Sequence, residues 1–110
     1  RIREDRKSLP KPDEAFFKAA IKATKRNPQE ACRMFGELAS RYPDYPSLIF
    51  NQGVCAEFYG DRDVAEQFYR RMPMTGKKKE DAPVRNALGR IEAWRAAMAQ
   101  DEERNAMLGR

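Results

Sequence analysis

Residues 46–72, PSLIFNQGVCAEFYGDRDVAEQFYRRM, contain two short apolar-periodic segments separated by Gly60-Asp61. Apolar residues in the first segment recur at three- and four-residue steps, and Gly60 stands where such a helix would end. In the second segment Ala65 and Tyr69 are four residues apart and share one helical face. This stretch predicts two antiparallel helices joined by a tight turn.

Similar residue types occur at equivalent positions 34 residues earlier in the chain. A period of 34 residues is typical of a solenoid whose unit is a pair of short antiparallel helices. Such units bury their apolar faces against neighbours and leave a concave surface for a partner. The aligned pairs are Ala31 with Ala65, Phe35 with Tyr69, Ala19 with Gly53 and Pro12 with Pro46.

Hydrophobic periodicity predicts five helices and no strand. We expect a charged linker or arm at residues 1–12, a helical domain over 13–100 and a charged tail at 101–110. A polar, basic loop at residues 73–83 precedes the last helix. The predicted helices begin near Asp13, Pro28, Ser47, Asp61 and Val84.

The start of the second helix has the clearest local signal. Asn27 is a good cap, Pro28 suits the first helical position, and Glu30 has the spacing of a capping box.

The residues that recur at this 34-residue spacing resemble those of the tetratricopeptide repeat. That family has a small residue within its first helix, Gly-Asp at the internal turn, an Ala early in the second helix and an aromatic residue one turn later. The matching positions are Asn51, Gly53, Gly60-Asp61, Ala65 and Tyr69 in residues 46–72, and Ala19, Asn27-Pro28, Ala31, Phe35 and Pro43 in residues 12–45.

The chain departs from the family at several positions. Ala15 and Ile49 replace large aromatic residues, and Gln52 replaces a leucine. A third unit fits only with two extra loop residues, which place Leu88-Gly89 at the small-residue position. The resemblance implies an all-α fold, a right-handed superhelical array of antiparallel helix pairs with two units plus a terminal helix. An ordinary helical bundle is the alternative.

In this family the first helix of each pair lines the concave face, where partners bind. The resemblance therefore implies an apolar groove that holds a peptide or helix of a partner protein. Aromatic residues at helical spacing are as often part of a core, so the core remains the alternative for each of them. The predicted groove consists of Phe16, Phe17, Ala20, Phe50, Asn51, Val54, Glu57, Phe58, Arg90 and Trp94.

Cys32 and Cys55 lie at nearly equal sequence distances from a turn near residue 44, on helices expected to be antiparallel neighbours. A disulfide between them fits this arrangement and would indicate an oxidising compartment, such as a periplasm or secretory route. Two buried, reduced thiols are the alternative. The chain contains 0 histidines and no close cysteine pair, so we expect no metal site.

The same lack of histidine removes the commonest general base, and no glycine-rich phosphate loop is present. We therefore expect no catalysis and no cofactor. The chain begins at Arg1 rather than Met, and we expect it to be a processed or excised segment, with a bacterial envelope or secretion assembly as the favoured setting.

The formal net charge is +5, and the sequence pI is about 9.4. Acidic residues interrupt most of the basic ones, so binding to nucleic acid is not the favoured interpretation. No stretch approaches the roughly 20 apolar residues of a membrane span. An RNA-binding pentatricopeptide-like repeat and a self-associating structural domain are the alternatives to a protein-binding module. The local basic clusters are Arg1, Arg3, Arg6 and Lys7 near the start, and Lys77, Lys78 and Lys79 in one loop.

Overall fold

The computed structural model describes residues 8–109, and these residues form five α-helices and no strand. The all-α prediction is confirmed. The basic cluster at residues 1–7 lies outside the described residues. The helices are α1 (Lys11–Arg26), α2 (Pro28–Arg41), α3 (Pro46–Phe58), α4 (Arg62–Arg70) and α5 (Lys78–Met107). None of the helices within residues 8–109 combines the length and apolarity needed to cross a membrane.

Helix α1 begins at Lys11, two residues before its expected start. Proline is tolerated in the first turn of a helix, so Pro12 does not delay the start. Leu9 is buried, and its backbone N–H donates to Glu14 Oε1 at 3.2 Å. Leu9 therefore packs in the core of the helical domain.

Helix α5 begins at Lys78, earlier than expected, because Asp81 organises the preceding loop. The buried Asp81 carboxylate accepts hydrogen bonds from the Thr75 N–H at 2.9 Å, the Thr75 hydroxyl at 3.1 Å and the Gly76 N–H at 2.9 Å. These bonds support the first turns of a helix that contains Pro83. The helix then continues through the expected tail to Met107, with its last turns exposed.

The second helices of the two units begin in the same way. Asn27 Oδ1 accepts from the Glu30 N–H at 3.2 Å, and Asp61 Oδ1 accepts from the Val64 N–H at 3.4 Å. Before Asp61, Gly60 has a φ of 82°, which a side chain would strain. The cap residues are 34 positions apart, as are the buried pairs Ala31 with Ala65 and Phe35 with Tyr69.

Helix α1 does not keep this step. Ala19 is exposed and its neighbour Ala20 is buried, although Ala19 aligns with the buried Gly53. In α5 the buried small residue is Ala87, 34 positions after Gly53, whereas Gly89 faces open space. The predicted placement of Leu88-Gly89 at the small-residue position, with two extra loop residues, is therefore wrong.

Two separate cores hold the helices together. The first lies between α1 and α2, and the second lies among α3, α4 and α5. Leu48 and Ile49 are adjacent on α3 but enter different cores, Leu48 the first and Ile49 the second. We call α1 with α2 the first hairpin, α3 with α4 the second hairpin, and the α2–α3 join the seam.

The molecule is elongated. Its radius of gyration is 16.5 Å, and its extents are 59 × 33 × 21 Å. A compact chain of this length would have a radius of gyration of about 13 Å. Helix α5 contributes to the elongation, because its 30 residues span about 45 Å.

The close approach of α4 to α3 depends on the missing side chain of Gly53. A Cβ atom there would lie 2.6 Å from Cε1 of Tyr69, inside the buried second core. We expect Gly53→Ala to lower the free energy of unfolding by about 1–3 kcal/mol, as overpacking of a core does. Urea denaturation followed by circular dichroism measures this change.

Gly89→Ala is the matched control, because Gly89 lies in a helix with open space around it. It should raise the free energy of unfolding by about 0.5–1 kcal/mol. Equal effects of the two substitutions would contradict the packing of Tyr69 against Gly53.

The bonds that Asp81 accepts make the stability of the α5 start dependent on pH. The Thr75 backbone N–H, the Thr75 hydroxyl and the Gly76 N–H together hold the pKa of Asp81 below its ordinary value, against the effect of desolvation. A lowered pKa stabilises the fold above the ordinary carboxyl value, about 4, and this contribution is lost as the pH falls through the folded-state pKa.

We therefore expect Asp81→Asn to lower the melting temperature at pH 7 and to have a much smaller effect near pH 2.5. Thermal melts of both proteins at the two pH values test this. A difference in melting temperature that stays constant with pH would exclude the proposed role of the carboxylate.

Candidate functional site

The structure divides the predicted groove into four parts. Phe17 and Ala20 lie in the first core, with 1% and 0% of their surface exposed. The Phe17 ring meets Phe35 of α2 edge-on, with ring centroids 6.0 Å apart. These two residues are therefore unavailable to a partner, because the face of α1 that carries them packs on α2. Phe16 is partly buried against the same core.

Glu57 and Arg90 contact each other and Tyr69 instead of offering free polar groups. Arg90 Nη2 lies 2.8 Å from Glu57 Oε1, and the Tyr69 hydroxyl donates to the same oxygen at 2.6 Å. Burial opposes the charge of Glu57, but hydrogen bonds from Arg90 and Tyr69 outweigh it and lower the pKa of Glu57. Burial and the bond to Glu57 raise the pKa of Tyr69, which stays a neutral donor. The three side chains link α3, α4 and α5.

Phe50 of α3 and Trp94 of α5 both contact residues of α4. The Phe50 ring is tilted against Tyr69 with ring centroids 5.6 Å apart, and it packs on the second core. Trp94 is 36% exposed, and the guanidinium of Arg62 stacks over its ring at 4.5 Å. Neither aromatic residue lines a cleft with the remaining members of the predicted groove.

Asn51, Val54 and Phe58 do come together, along one side of α3. They line a cleft of about 180 Å³ at the seam, beside the end of α1. Val54 is 39% exposed and Phe58 is 51% exposed, so both are accessible. The full lining of this seam cleft is Thr24, Pro28, Ala31, Cys32, Phe35, Asn51, Val54, Cys55 and Phe58.

The surface of the seam cleft is almost free of charge. None of its lining residues is ionisable, because its two cysteines are joined in a disulfide. Helix α3 carries a single charged residue, Glu57. The amide of Asn51 donates to the Ser47 carbonyl at 2.7 Å, within its own helix. An apolar side chain could therefore enter without desolvating an ionised group, which would be costly.

A disulfide joins Cys32 of α2 to Cys55 of α3, with their Cα atoms 5.7 Å apart. The bridge borders the seam cleft on one side. On its other side lies a second cleft of about 320 Å³, which includes Tyr59 and Phe68. Phe58 and Tyr59 are adjacent in sequence, yet they line different clefts.

The sequence did not indicate Thr24, Pro28, Ala31 and Phe35 as parts of the site. Ala31 and Phe35 are among the residues that recur with the 34-residue period, and both are buried. Both lie beneath the seam cleft, and each is only 1% exposed, so they form its floor. No residue type or spacing indicates which core residues lie beneath a cleft.

Among residues 8–109, no three or more histidine, cysteine, aspartate or glutamate side chains cluster as a metal site would require. The chemistry that the seam cleft offers is apolar contact beside an amide and a disulfide. Comparison of the chain with family models, with curated proteins and with solved structures finds no match.

The disulfide should contribute measurably to stability, because it closes a loop between residues 23 positions apart. The chain-entropy relation gives about 3 kcal/mol for a loop of this size. We expect Cys32→Ala with Cys55→Ala to lower the free energy of unfolding by about that amount, measured by guanidinium denaturation.

Treatment of the unaltered chain with dithiothreitol is the control, and it should lower the stability similarly. Two reactive thiols in the denatured, unreduced protein would show that the bridge does not form.

Proposed function

We propose that this chain is a non-catalytic protein-interaction module that binds a peptide or helix of a partner through the seam cleft. The observation that carries the proposal is the accessible apolar lining of the cleft, with Val54 and Phe58 exposed at its edge. Exposed apolar residues gathered at a concave site are typical of surfaces that bind other proteins.

The size of the cleft favours a side chain over a small molecule. Sites for drug-sized ligands are commonly about 300–1,000 Å³, and the seam cleft is smaller, at about 180 Å³. One or two apolar side chains of a peptide would fill it. Binding of this kind uses a few buried anchors, with the remaining contacts supplying complementarity.

We further propose that the helices form a tetratricopeptide-like superhelical array. The equivalent caps at Asn27 and Asp61 and the equivalent buried aromatic residues Phe35 and Tyr69 support this arrangement. In such an array α1 and α3 would be the first helices of their pairs, and both contribute residues to the seam cleft. The disulfide favours an oxidising compartment, such as a periplasm or a secretory route.

A displayed library of random 12-residue peptides tests the proposal, because such a library samples many sequences and requires no identified partner. The oxidised chain should enrich peptides with large apolar residues, and these should bind it in fluorescence anisotropy. We expect Phe58→Ala to weaken binding by tenfold or more, because a buried aromatic anchor commonly contributes about 2 kcal/mol.

Trp94→Ala is the control, since Trp94 is also aromatic and partly exposed, at 36%, but does not line the seam cleft. It should leave the affinity nearly unchanged. The proposal fails if no peptide is enriched, or if enriched peptides bind Phe58→Ala as tightly as the unaltered chain. Light scattering of each variant excludes self-association as the cause of an altered signal.

A further inference from the structure

The outer face of α1 is basic beyond its first turn. Its basic residues follow the periodicity of a helix and are all exposed, on the side opposite the buried Phe17 and Ala20. They are Lys11, Lys18, Lys22, Lys25 and Arg26.

The acidic residues of α1 lie in its first turn, away from Lys22, Lys25 and Arg26. Asp13 pairs with Arg41 of α2 at 2.9 Å and accepts a hydrogen bond from Tyr42. Glu14 accepts from the backbone N–H of Leu9. Within residues 8–109, no carboxylate lies in ion-pair contact with Lys18, Lys22, Lys25 or Arg26.

Arginines on α2 and α4, in contrast, form ion pairs with neighbouring glutamates. Arg33 of α2 lies 2.6 Å from Glu30 and 3.0 Å from Glu37, and Arg70 of α4 lies 2.9 Å from Glu66. On those helices the two signs of charge alternate. Helix α1 differs from them in carrying four basic residues without an ion-pair partner among residues 8–109.

This basic face meets the seam cleft at the end of α1. A depression of about 640 Å³ is lined by Lys22, Arg26 and Asn27 together with two alanines, Ala19 and Ala23. Thr24 and Pro28 directly follow Ala23 and Asn27, and they line the seam cleft. An apolar site and a positively charged site thus adjoin on one surface.

We infer that the segment bound by this chain is an acidic peptide. Its large apolar side chain occupies the seam cleft, and its neighbouring carboxylates contact Lys22 and Arg26. The inference rests on the proposed function and specifies its partner. Opposite charge at the rim of an interface raises the association rate and rejects partners of the wrong sign.

A peptide fits this surface better than a nucleic acid. Proteins that bind single strands combine basic grooves with aromatic side chains on which the bases stack. The lining of the basic depression contains alanines and no aromatic residue. Phe58 lies instead in the uncharged seam cleft, which offers phosphates no cation among its lining residues.

The test uses the same displayed peptide library with the full oxidised chain and with a variant carrying Lys22→Glu and Arg26→Glu. Peptides enriched by the unaltered chain should contain more Asp and Glu than the library, beside a Leu, Phe or Trp. We expect the variant to bind these peptides about tenfold or more weakly at low salt, with a smaller difference at high salt.

The control variant carries Lys78→Glu and Lys79→Glu, which make the same change in net charge at exposed positions on α5. It should bind within about twofold of the unaltered chain if the effect is local to α1. Circular dichroism confirms that all variants retain their helices. A loss of affinity shared equally by both variants would overturn the inference.

Other outcomes separate this inference from the proposed function. If enriched peptides lack an acidic bias and bind the Lys22→Glu, Arg26→Glu variant normally but require Phe58, the inference fails and the proposed function stands. If no peptide requires Phe58, both fail. Tighter binding of a 20-nucleotide oligouridine than of any enriched peptide, abolished by the same variant, overturns the inference in favour of RNA.

Discussion

The join between the two hairpins is narrow, and the Cys32–Cys55 bond crosses it. From the second hairpin, Leu48 is the buried side chain that enters the first core. Arg71, directly after α4, forms an ion pair with Asp44 in the loop between the hairpins. This pair is 3.7 Å long and largely exposed, so it contributes little to stability. The relative position of the hairpins, and with it the shape of the seam cleft, therefore depends mainly on the disulfide and on the packing of Leu48, Tyr45 and Cys55 against the first core.

The position of α3 explains why apolar residues remain accessible. Leu48 is used in the first core, while Ile49 and Gly53 are used against α4 and α5. Each of these contacts occupies a different side of a single helix, and the side with Val54 and Phe58 is left uncovered. Because α3 carries one charged residue, its uncovered side is apolar by composition. The accessible cleft follows from a helix that serves two cores.

Local signals in the sequence were sufficient for α2 and α4. Their caps, their early alanines and their aromatic residues act within one or two turns, so spacing alone locates them. The buried faces of α1, α3 and α5 were harder to predict, because burial there depends on the partner helix rather than on local sequence. Ala20 is buried in place of Ala19 for that reason, whereas Ala87 keeps the 34-residue step from Gly53. The early start of α5 depended on Asp81 reaching back to Thr75, a contact that periodicity does not reveal.

The candidate site was predictable only in part. Val54, Asn51 and Phe58 were predicted from the resemblance to a helical repeat, and they do line one cleft. Phe16 and Phe17 differ by one position, and the sequence cannot say which of them turns toward α2. The cysteines lie at similar heights because both are about equally far from the turn, but their side-chain directions depend on how the hairpins pack. The basic face of α1 is visible in the sequence, whereas its junction with the apolar cleft required the structure.

The most direct test is to record NMR contacts between an enriched peptide and the methyl groups of the oxidised chain. The account predicts nuclear Overhauser effects from one apolar peptide side chain to the methyl groups of Thr24 and Val54, which are exposed and lie on different helices of the seam cleft. Contacts restricted to residues of the opposite cleft, or to the exposed end of α5, would show that the surface between the hairpins is not where a partner binds.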